Sequence, residues 1–189
     1  QIRNLLSGIQ EFSDARTGLP LILAGEEAGG ETRSPLANFL GFAVAQSPAE
    51  LAQSGDTAPV KEAYSKIATY MDDYGFNLNL GINADIARGN DAIYELGTFG
   101  ADAATVEEML CTAVEEHTAK QMDSVLKYFP AKHAADLTKD VIEENCLPVY
   151  RAGIGAGADY IMLTNSTCAG LTGTDTLPCC LSEEAVEYI

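Results

Sequence analysis

The chain has 189 residues, with 11 Lys and Arg against 28 Asp and Glu, which gives a formal charge of -17. A field of this sign repels nucleic acid and anionic membranes, and no run of basic residues offsets it. The hydrophobic content of 47% is typical of a globular protein. Since no stretch approaches about 18 consecutive apolar residues, we expect a single soluble domain over residues 1–189, with no contact to nucleic acid or membrane.

The five cysteines do not have the spacing of a metal site, and two of them, Cys179 and Cys180, are adjacent. We therefore expect no metal, no cofactor, and thiols that are buried as small apolar side chains rather than joined in a disulfide framework. The chain begins without Met, so a signal or lipoprotein segment could have been removed. Both a cytoplasmic and an extracytoplasmic location stay open.

Hydrophobic periodicity predicts alternating helices and strands. Apolar residues at helical spacing predict a first helix from Ile2 to Thr17, and the apolar run at residues 21–24 predicts a buried strand. Residues 29–56 are rich in Gly, Ser and Pro and predict an irregular connection with one helical turn. The remaining predicted helices are 59–74, 102–120, 147–156 and one opened by Ser182, and the remaining strands are 76–82, 124–129 and 159–164.

Helix and strand alternate four times, and Gly18, Gly75 and Gly157 each stand just before the next strand. This order is typical of parallel βα units, so the fold class is α/β. Four units are half of a (β/α)8 barrel, which takes about 250 residues. Either the sheet is open and doubly wound, or the chain is the first half of a TIM-type barrel. In both architectures, catalytic and ligand-binding residues lie at the carboxyl ends of the strands.

Seven segments, read in order, carry a family resemblance: residues 19–30 (LPLILAGEEAGG), 75–85 (GFNLNLGINAD), 97–102 (GTFGAD), 127–133 (KYFPAKH), 147–151 (LPVYR), 156–162 (AGADYIM) and 177–182 (LPCCLS). Together they resemble the N-terminal barrel domain of glycoside hydrolase family 3, in particular its β-N-acetylhexosaminidase branch. The resemblance implies a TIM-type barrel, hydrolysis of O-glycosyl bonds and a carbohydrate partner.

The departures from the family pattern affect the catalytic and sugar-binding residues. The family's nucleophilic Asp follows the fifth strand, which this chain does not reach, and its Asp-Ser-His acid/base loop is short here, with Asp136 as a remnant. Glu26 stands for a sugar-binding Asp, Gly97 for an Arg and Tyr128 for a His. We therefore expect no catalytic residue in this chain and no activity from it alone. The alternative is a non-catalytic carbohydrate-binding or structural domain.

Four residues are the candidate substrate-binding site: Glu26, Asp85, Lys127 and His133. The first three end successive strands, so we expect Lys127 to be buried and to contact at least one of the two acids, either as a structural ion pair or as a sugar contact. His133 stands near a strand end but lacks an acidic partner in sequence.

Three further expectations concern residues around this site. Glu27 is either a sugar contact or a residue that is simply solvated or caps the loop, and Asn77 and Asn79 line the barrel interior. His117, among charged neighbours, is expected on the surface. Because a half barrel leaves two sheet edges unpaired, we also expect a missing C-terminal half or pairing with a second copy.

Overall fold

A computed structural model describes residues 1–89 and 91–188, and within them four parallel strands form one sheet: β1 (Ala24–Gly25), β2 (Leu78–Asn83), β3 (Asp123–Phe129) and β4 (Tyr160–Leu163). The strands lie in chain order, and each pairs in parallel with the next. A doubly wound sheet would reverse direction part-way, whereas a barrel adds each strand on the same side. The predicted α/β fold with the order of a TIM-type half barrel is confirmed, and the sheet is not closed.

Helices connect the strands, and they are numbered along the chain: α1 (Ile2–Thr17), α2 (Pro35–Leu40), α3 (Pro48–Ala52), α4 (Ala58–Tyr74), α5 (Ala92–Glu95), α6 (Ala103–Ala119), α7 (Lys139–Val141), α8 (Leu147–Gly155), α9 (Ala169–Thr172) and α10 (Glu183–Glu187). Single turns of 3-10 helix lie at Glu31–Arg33 and Cys179–Leu181, and a π-helical segment, Ile142–Cys146, joins α7 to α8. Across the described residues, no helix combines the length and apolar character needed to cross a membrane.

The helix boundaries follow the predicted capping residues. The Asp102 side chain accepts the Thr105 N–H and opens α6, and the Ser182 side chain accepts the Ala185 N–H and opens α10. At the other end of a helix, α4 stops at Gly75 with φ +91°, a left-handed conformation that favours glycine. These local signals fix where each helix enters and leaves the sheet.

Two segments differ from the sequence prediction. The predicted first strand at residues 21–24 is reduced to Ala24–Gly25. Just before it, the Asn77 side chain accepts the Leu23 N–H at 2.7 Å, so a side chain replaces part of the strand ladder. The connection 29–56 contains two helices, α2 and α3, rather than one turn. Each has proline in its first turn, and α3 adds a complete Ser47–Glu50 capping box.

The core lies between the sheet and the helices α4, α6 and α8. Its fully buried side chains come from both layers, among them Tyr64, Leu110, Leu126 and Phe129. At Gly153 a Cβ atom would come within 2.6 Å of the Leu126 side chain, so α8 approaches β3 as closely as it does because this residue is glycine. Packing of this density holds the strand ends in fixed positions.

The expectation that His117 lies on the surface is wrong. His117 is fully buried on α6, where Nδ1 lies 3.0 Å from the Ala113 carbonyl and Nε2 lies 2.9 Å from the Asn79 amide. Nδ1 therefore donates and Nε2 accepts, which is the neutral imidazole, and burial lowers the pKa of His117 to about 4. Asn79 consequently contacts the helix layer, so its predicted place in the barrel interior is also wrong.

The thiols are only partly where the sequence analysis expects them. Cys168 and Cys179 are buried, but Cys180 is exposed. Cys111 and Cys146 have intermediate exposure.

Candidate functional site

An ion pair lies at the carboxyl ends of the strands. Lys127 of β3 is only 1% exposed, and its Nζ donates a hydrogen bond to Oε1 of Glu26, which directly follows β1 and is 45% exposed. Burial lowers the pKa of the Lys127 amine, and the hydrogen bond that it donates to Glu26 opposes that shift. The predicted burial of Lys127 and its contact with an acid are both confirmed.

Asp85 contacts a different set of groups. It lies two residues beyond β2, is 3% exposed, and accepts hydrogen bonds from the Tyr94 hydroxyl at 2.6 Å, the Lys132 N–H at 2.7 Å and the Tyr128 N–H at 3.2 Å. Burial raises the pKa of Asp85, while these three hydrogen bonds oppose the shift. Asp85 therefore braces the segment that follows β3, and the Lys127 amine pairs with Glu26.

His133 lies at the edge of the same group. Its Nε2 is 3.4 Å from Oδ2 of Asp91, and its ring packs edge-on against Tyr94 with the centroids 5.5 Å apart. Asp136, the remnant of the family's acid/base loop, is 79% exposed and pairs with Arg88 at 3.8 Å. His133 thus has an acidic partner that the sequence did not indicate, and that partner is Asp91 rather than Asp136.

The two aromatic residues of β3 separate as strand alternation requires. Phe129 is fully buried and packs against Tyr150 with ring centroids 5.1 Å apart. Tyr128 is partly exposed, and its ring centroid lies 5.3 Å from the Lys127 amine. The Lys127–Tyr128 and Phe129–Pro130 peptide bonds are both cis. Tyr128 is therefore the aromatic face available at the strand ends.

Glu27 has a structural role although it neighbours Glu26. It is completely buried, and its carboxylate accepts the Leu36 and Ala37 N–H groups and the Tyr70 hydroxyl. Burial raises its pKa in spite of these hydrogen bonds. These contacts cap the start of α2 and tie it to Tyr70 of α4, so the expectation that Glu27 caps the loop is confirmed, and the expectations of a solvated residue and of a sugar contact are wrong.

Sequence reasoning assigned no role to three residues at this end of the sheet. Tyr94 of α5 is 5% exposed, and two cations contact its ring: Arg33 Cζ is 5.2 Å from the centroid and Lys132 Nζ is 4.4 Å from it. All three residues come from loops or short helical turns, where no periodicity marks them. The one signal was Asp91, whose side chain caps α5 by accepting the Tyr94 N–H.

Among residues 1–89 and 91–188, no group of three or more His, Cys, Asp or Glu is arranged to hold a metal ion. What the strand ends offer is a set of hydrogen-bond donors and acceptors beside an aromatic ring. Protein sites for small polar molecules combine such groups.

Several solved structures share this fold. A glycosyl hydrolase of family 3 from Mycobacterium smegmatis is 25% identical with a TM-score of 0.81, over 98% of this chain and 59% of that one. A family 3 β-N-acetylglucosaminidase from Paenibacillus sp. is 21% identical with a TM-score of 0.88, and the match covers 98% of this chain and 37% of that one. NagZ from Neisseria gonorrhoeae, solved in complex with N-trifluoroacetyl-D-glucosamine, is 20% identical with a TM-score of 0.81. This match covers 94% of this chain and 54% of that one.

This chain spans between 37% and 59% of the length of those three proteins. Comparison with curated protein sequences finds no significant match. The model of the glycosyl hydrolase family 3 N-terminal domain, however, matches residues 1–189, from one end of the chain to the other. The chain therefore belongs to the glycosyl hydrolase family 3 N-terminal domain family.

Proposed function

We propose that this chain supplies the sugar-binding part of a family 3 glycoside hydrolase that hydrolyses O-glycosyl bonds in the manner of a β-N-acetylhexosaminidase. The observation that carries the proposal is the ion pair between buried Lys127 and half-exposed Glu26 at the carboxyl ends of the strands. The N-acylglucosamine bound to NagZ from Neisseria gonorrhoeae and the β-N-acetylglucosaminidase from Paenibacillus support the sugar class.

The pair suits the hydroxyl groups of a sugar ring. Lys127 has N–H groups beyond the one that Glu26 accepts, and the partly solvated Glu26 carboxylate has a second oxygen. One hydroxyl would accept from the amine while its neighbour donates to the carboxylate, and both bonds are charge-assisted. The partly exposed Tyr128 ring beside them offers an apolar face for the sugar's C–H groups. Substrate binding is accordingly assigned first to Glu26 and Lys127, with Asp85 and His133 as supporting residues.

Hydrolysis needs groups that these residues do not supply. A retaining glycosidase uses two carboxyl groups about 5 to 5.5 Å apart, one as nucleophile and one as acid/base. Glu26 is engaged with Lys127, and the buried Asp85 is engaged in three hydrogen bonds. In this proposal Glu26 binds the sugar and Asp85 holds the segment after β3 in place. Cleavage of the glycosidic bond then requires groups other than the four site residues. The chain alone is inactive in this proposal.

A non-catalytic carbohydrate-binding domain is the second candidate. The separation of His133 from Asp136 favours it, since His133 pairs with Asp91 and Asp136 pairs with Arg88. The acidic partner of His133 is thus Asp91, outside the remnant of the acid/base loop, and this second candidate assigns the pair no part in proton transfer. Both candidates require sugar binding at the strand ends, and they differ in whether the complete protein turns substrate over.

Calorimetric titration with N-acetylglucosamine, combined with turnover of an aryl N-acetyl-β-glucosaminide, tests the proposal. We expect binding that Lys127→Met and Glu26→Gln abolish and that Lys120→Gln, an exposed charge change at the end of α6, leaves intact. Absence of sugar binding would refute the proposal. Turnover by the 189-residue chain that is lost in His133→Ala or Asp136→Asn would refute the claim that this chain is inactive alone.

A further inference from the structure

Two cations share one aromatic ring beside the proposed sugar site. Arg33 follows β1 and donates to the Tyr94 carbonyl at 3.3 Å, with its guanidinium 5.2 Å from the Tyr94 ring centroid. Lys132 follows β3, and its amine lies 4.4 Å from the same centroid. Cation–ring contacts of this kind hold a charged group in place without neutralising it. The Tyr94 ring therefore holds two positive charges near the carboxyl ends of the strands.

The position of Arg33 depends on Gly97. A Cβ atom at position 97 would lie 2.7 Å from Cζ and Nε of Arg33, so the guanidinium fills the space that any side chain there would occupy. The backbone N–H of Gly97 is bonded to the Tyr94 carbonyl at 2.9 Å, the same oxygen that accepts from Arg33. Arg33, Tyr94 and Gly97 thus form one packed unit, in which the arginine has a defined place.

Neither of these two charges forms a close ion pair among the described residues, although the pKa of Asp91 is lowered mainly by the hydrogen bond from the Tyr94 N–H and also by Lys132. Among residues 1–89 and 91–188, neither Arg33 nor Lys132 has a carboxylate oxygen within 4.0 Å, whereas Lys127 and Arg88 each do. What distinguishes these two cations from the other basic residues is their shared contact with the Tyr94 ring beside the Lys127 amine. Both repel the Lys127 amine and contribute to the lowering of its pKa, after the larger effect of burial. They therefore lie close enough to act on a molecule that contacts Lys127.

We propose that Arg33 and Lys132 form an anion subsite that receives a carboxylate or phosphate group carried by the sugar ligand. This inference rests on the proposed function, because it places the charged group beside a sugar held by Glu26 and Lys127. The planar guanidinium suits two oxygens of one carboxylate or phosphate, and the lysine adds a mobile point charge. The substrate class is then an acidic carbohydrate rather than a neutral one.

Isothermal titration of the protein with matched sugars tests the subsite. The neutral ligands are glucose and N-acetylglucosamine, and their charged counterparts are glucuronic acid, glucose 6-phosphate and N-acetylglucosamine 6-phosphate. We expect at least one charged sugar to bind about tenfold more tightly than its neutral counterpart, as charge-assisted hydrogen bonds imply. Comparing the carboxylate with the phosphates identifies which group the subsite takes.

Three variants locate the effect. Arg33→Gln and Lys132→Gln should each bring the ratio of charged to neutral affinity towards one, and the distant Lys120→Gln should keep it. Gly97→Ala retains all charges but displaces the Arg33 guanidinium, so it too should lower the ratio. A preference that survives in Arg33→Gln and Gly97→Ala would overturn the assignment.

The failures of the two proposals are distinguishable. If neutral sugars bind and the charged ones bind no better, the sugar site stands and the anion subsite is refuted. If inorganic phosphate alone binds as tightly as the sugar phosphates, the cations take a free anion, and the inference about the sugar is refuted. If none of the sugars binds, both proposals fall.

Discussion

The Lys127 amine and the Glu26 carboxylate join β3 to the end of β1, with β2 lying between these two strands. The two partners are unequally buried, since Lys127 is 1% exposed and Glu26 is 45% exposed. The amine is therefore held by the protein, while the carboxylate keeps one side towards solvent. That asymmetry makes the pair a candidate for ligand binding, and it also makes the two halves of the pair differ in their effect on stability.

Removing the carboxylate should cost more stability than removing the amine. Glu26→Gln leaves a buried ammonium without its counter-charge, and we expect the free energy of unfolding to fall by about 2 kcal/mol. Lys127→Met leaves a carboxylate that water can solvate, and the expected loss is below about 1 kcal/mol. Urea unfolding of both variants measures the difference. A larger loss for Lys127→Met would contradict this description of the pair.

Acid sensitivity should depend on His117. Its pKa is lowered to about 4 in the folded protein, from an ordinary value of 6.5, because the neutral ring is buried. A lowered pKa stabilises the fold above pH 6.5, and that contribution is lost as the pH falls towards 4, where it has decreased by about 3 kcal/mol. Burial raises the pKa values of Asp85 and Glu27, which acts in the opposite direction. The test is therefore a difference between variants.

Urea unfolding between pH 7 and pH 4 should show a smaller acid-dependent loss for His117→Gln than for the parent protein. His133→Gln, which replaces the partly exposed histidine, is the matched control and should follow the parent. Identical pH dependence for the parent and His117→Gln would show that the buried imidazole is not what titrates.

Asp85 should govern the rigidity of the segment after β3. Its carboxylate accepts the Tyr128 and Lys132 amides and the Tyr94 hydroxyl, and Asp85→Asn replaces one accepting oxygen with a donor. We expect faster hydrogen exchange at the amides of residues 128 and 132 and a loss of about 1 to 3 kcal/mol in unfolding free energy. Asp136→Asn, at an exposed position, is the control. Unchanged protection in Asp85→Asn would refute the bracing role.

The two edges of the sheet should drive association of the 189-residue chain. Within the described residues β1 and β4 each pair with one neighbour, and Leu21, Ile22 and Tyr160 beside these edges are exposed. We expect light scattering after size-exclusion chromatography to give a mass above 20.0 kDa. A folded monomer whose edge amides are protected from exchange would contradict this expectation.

The fold could be predicted from sequence because its signals are local. Apolar spacing places α4 and α6, and Gly75 and Asp102 mark their ends. The sequence predicts a first strand longer than the observed β1, because an apolar run alone does not show that the Asn77 side chain replaces part of the backbone hydrogen bonding. His117 was misplaced because its charged sequence neighbours outweighed its position four residues after the buried Ala113.

The site could be predicted only in part. Glu26 and Lys127 follow from the rule that strand ends converge, whereas the bracing role of Asp85 depends on how residues 128–132 turn back towards it. Arg33 and Tyr94 meet because position 97 lacks a side chain, and a contact between two loops leaves no periodic trace in sequence. In sequence, Gly97 replaces an Arg of the family pattern, and in the structure the Arg33 side chain fills the space beside it.

The most direct test of sugar binding at the strand ends is the mapping of amide chemical shifts in the protein as N-acetylglucosamine is added. If the account is correct, the perturbed amides will cluster at Glu26, Lys127 and Tyr128, and the shifts will disappear in Lys127→Met. Perturbations centred elsewhere, or the same shifts retained in Lys127→Met, would contradict it.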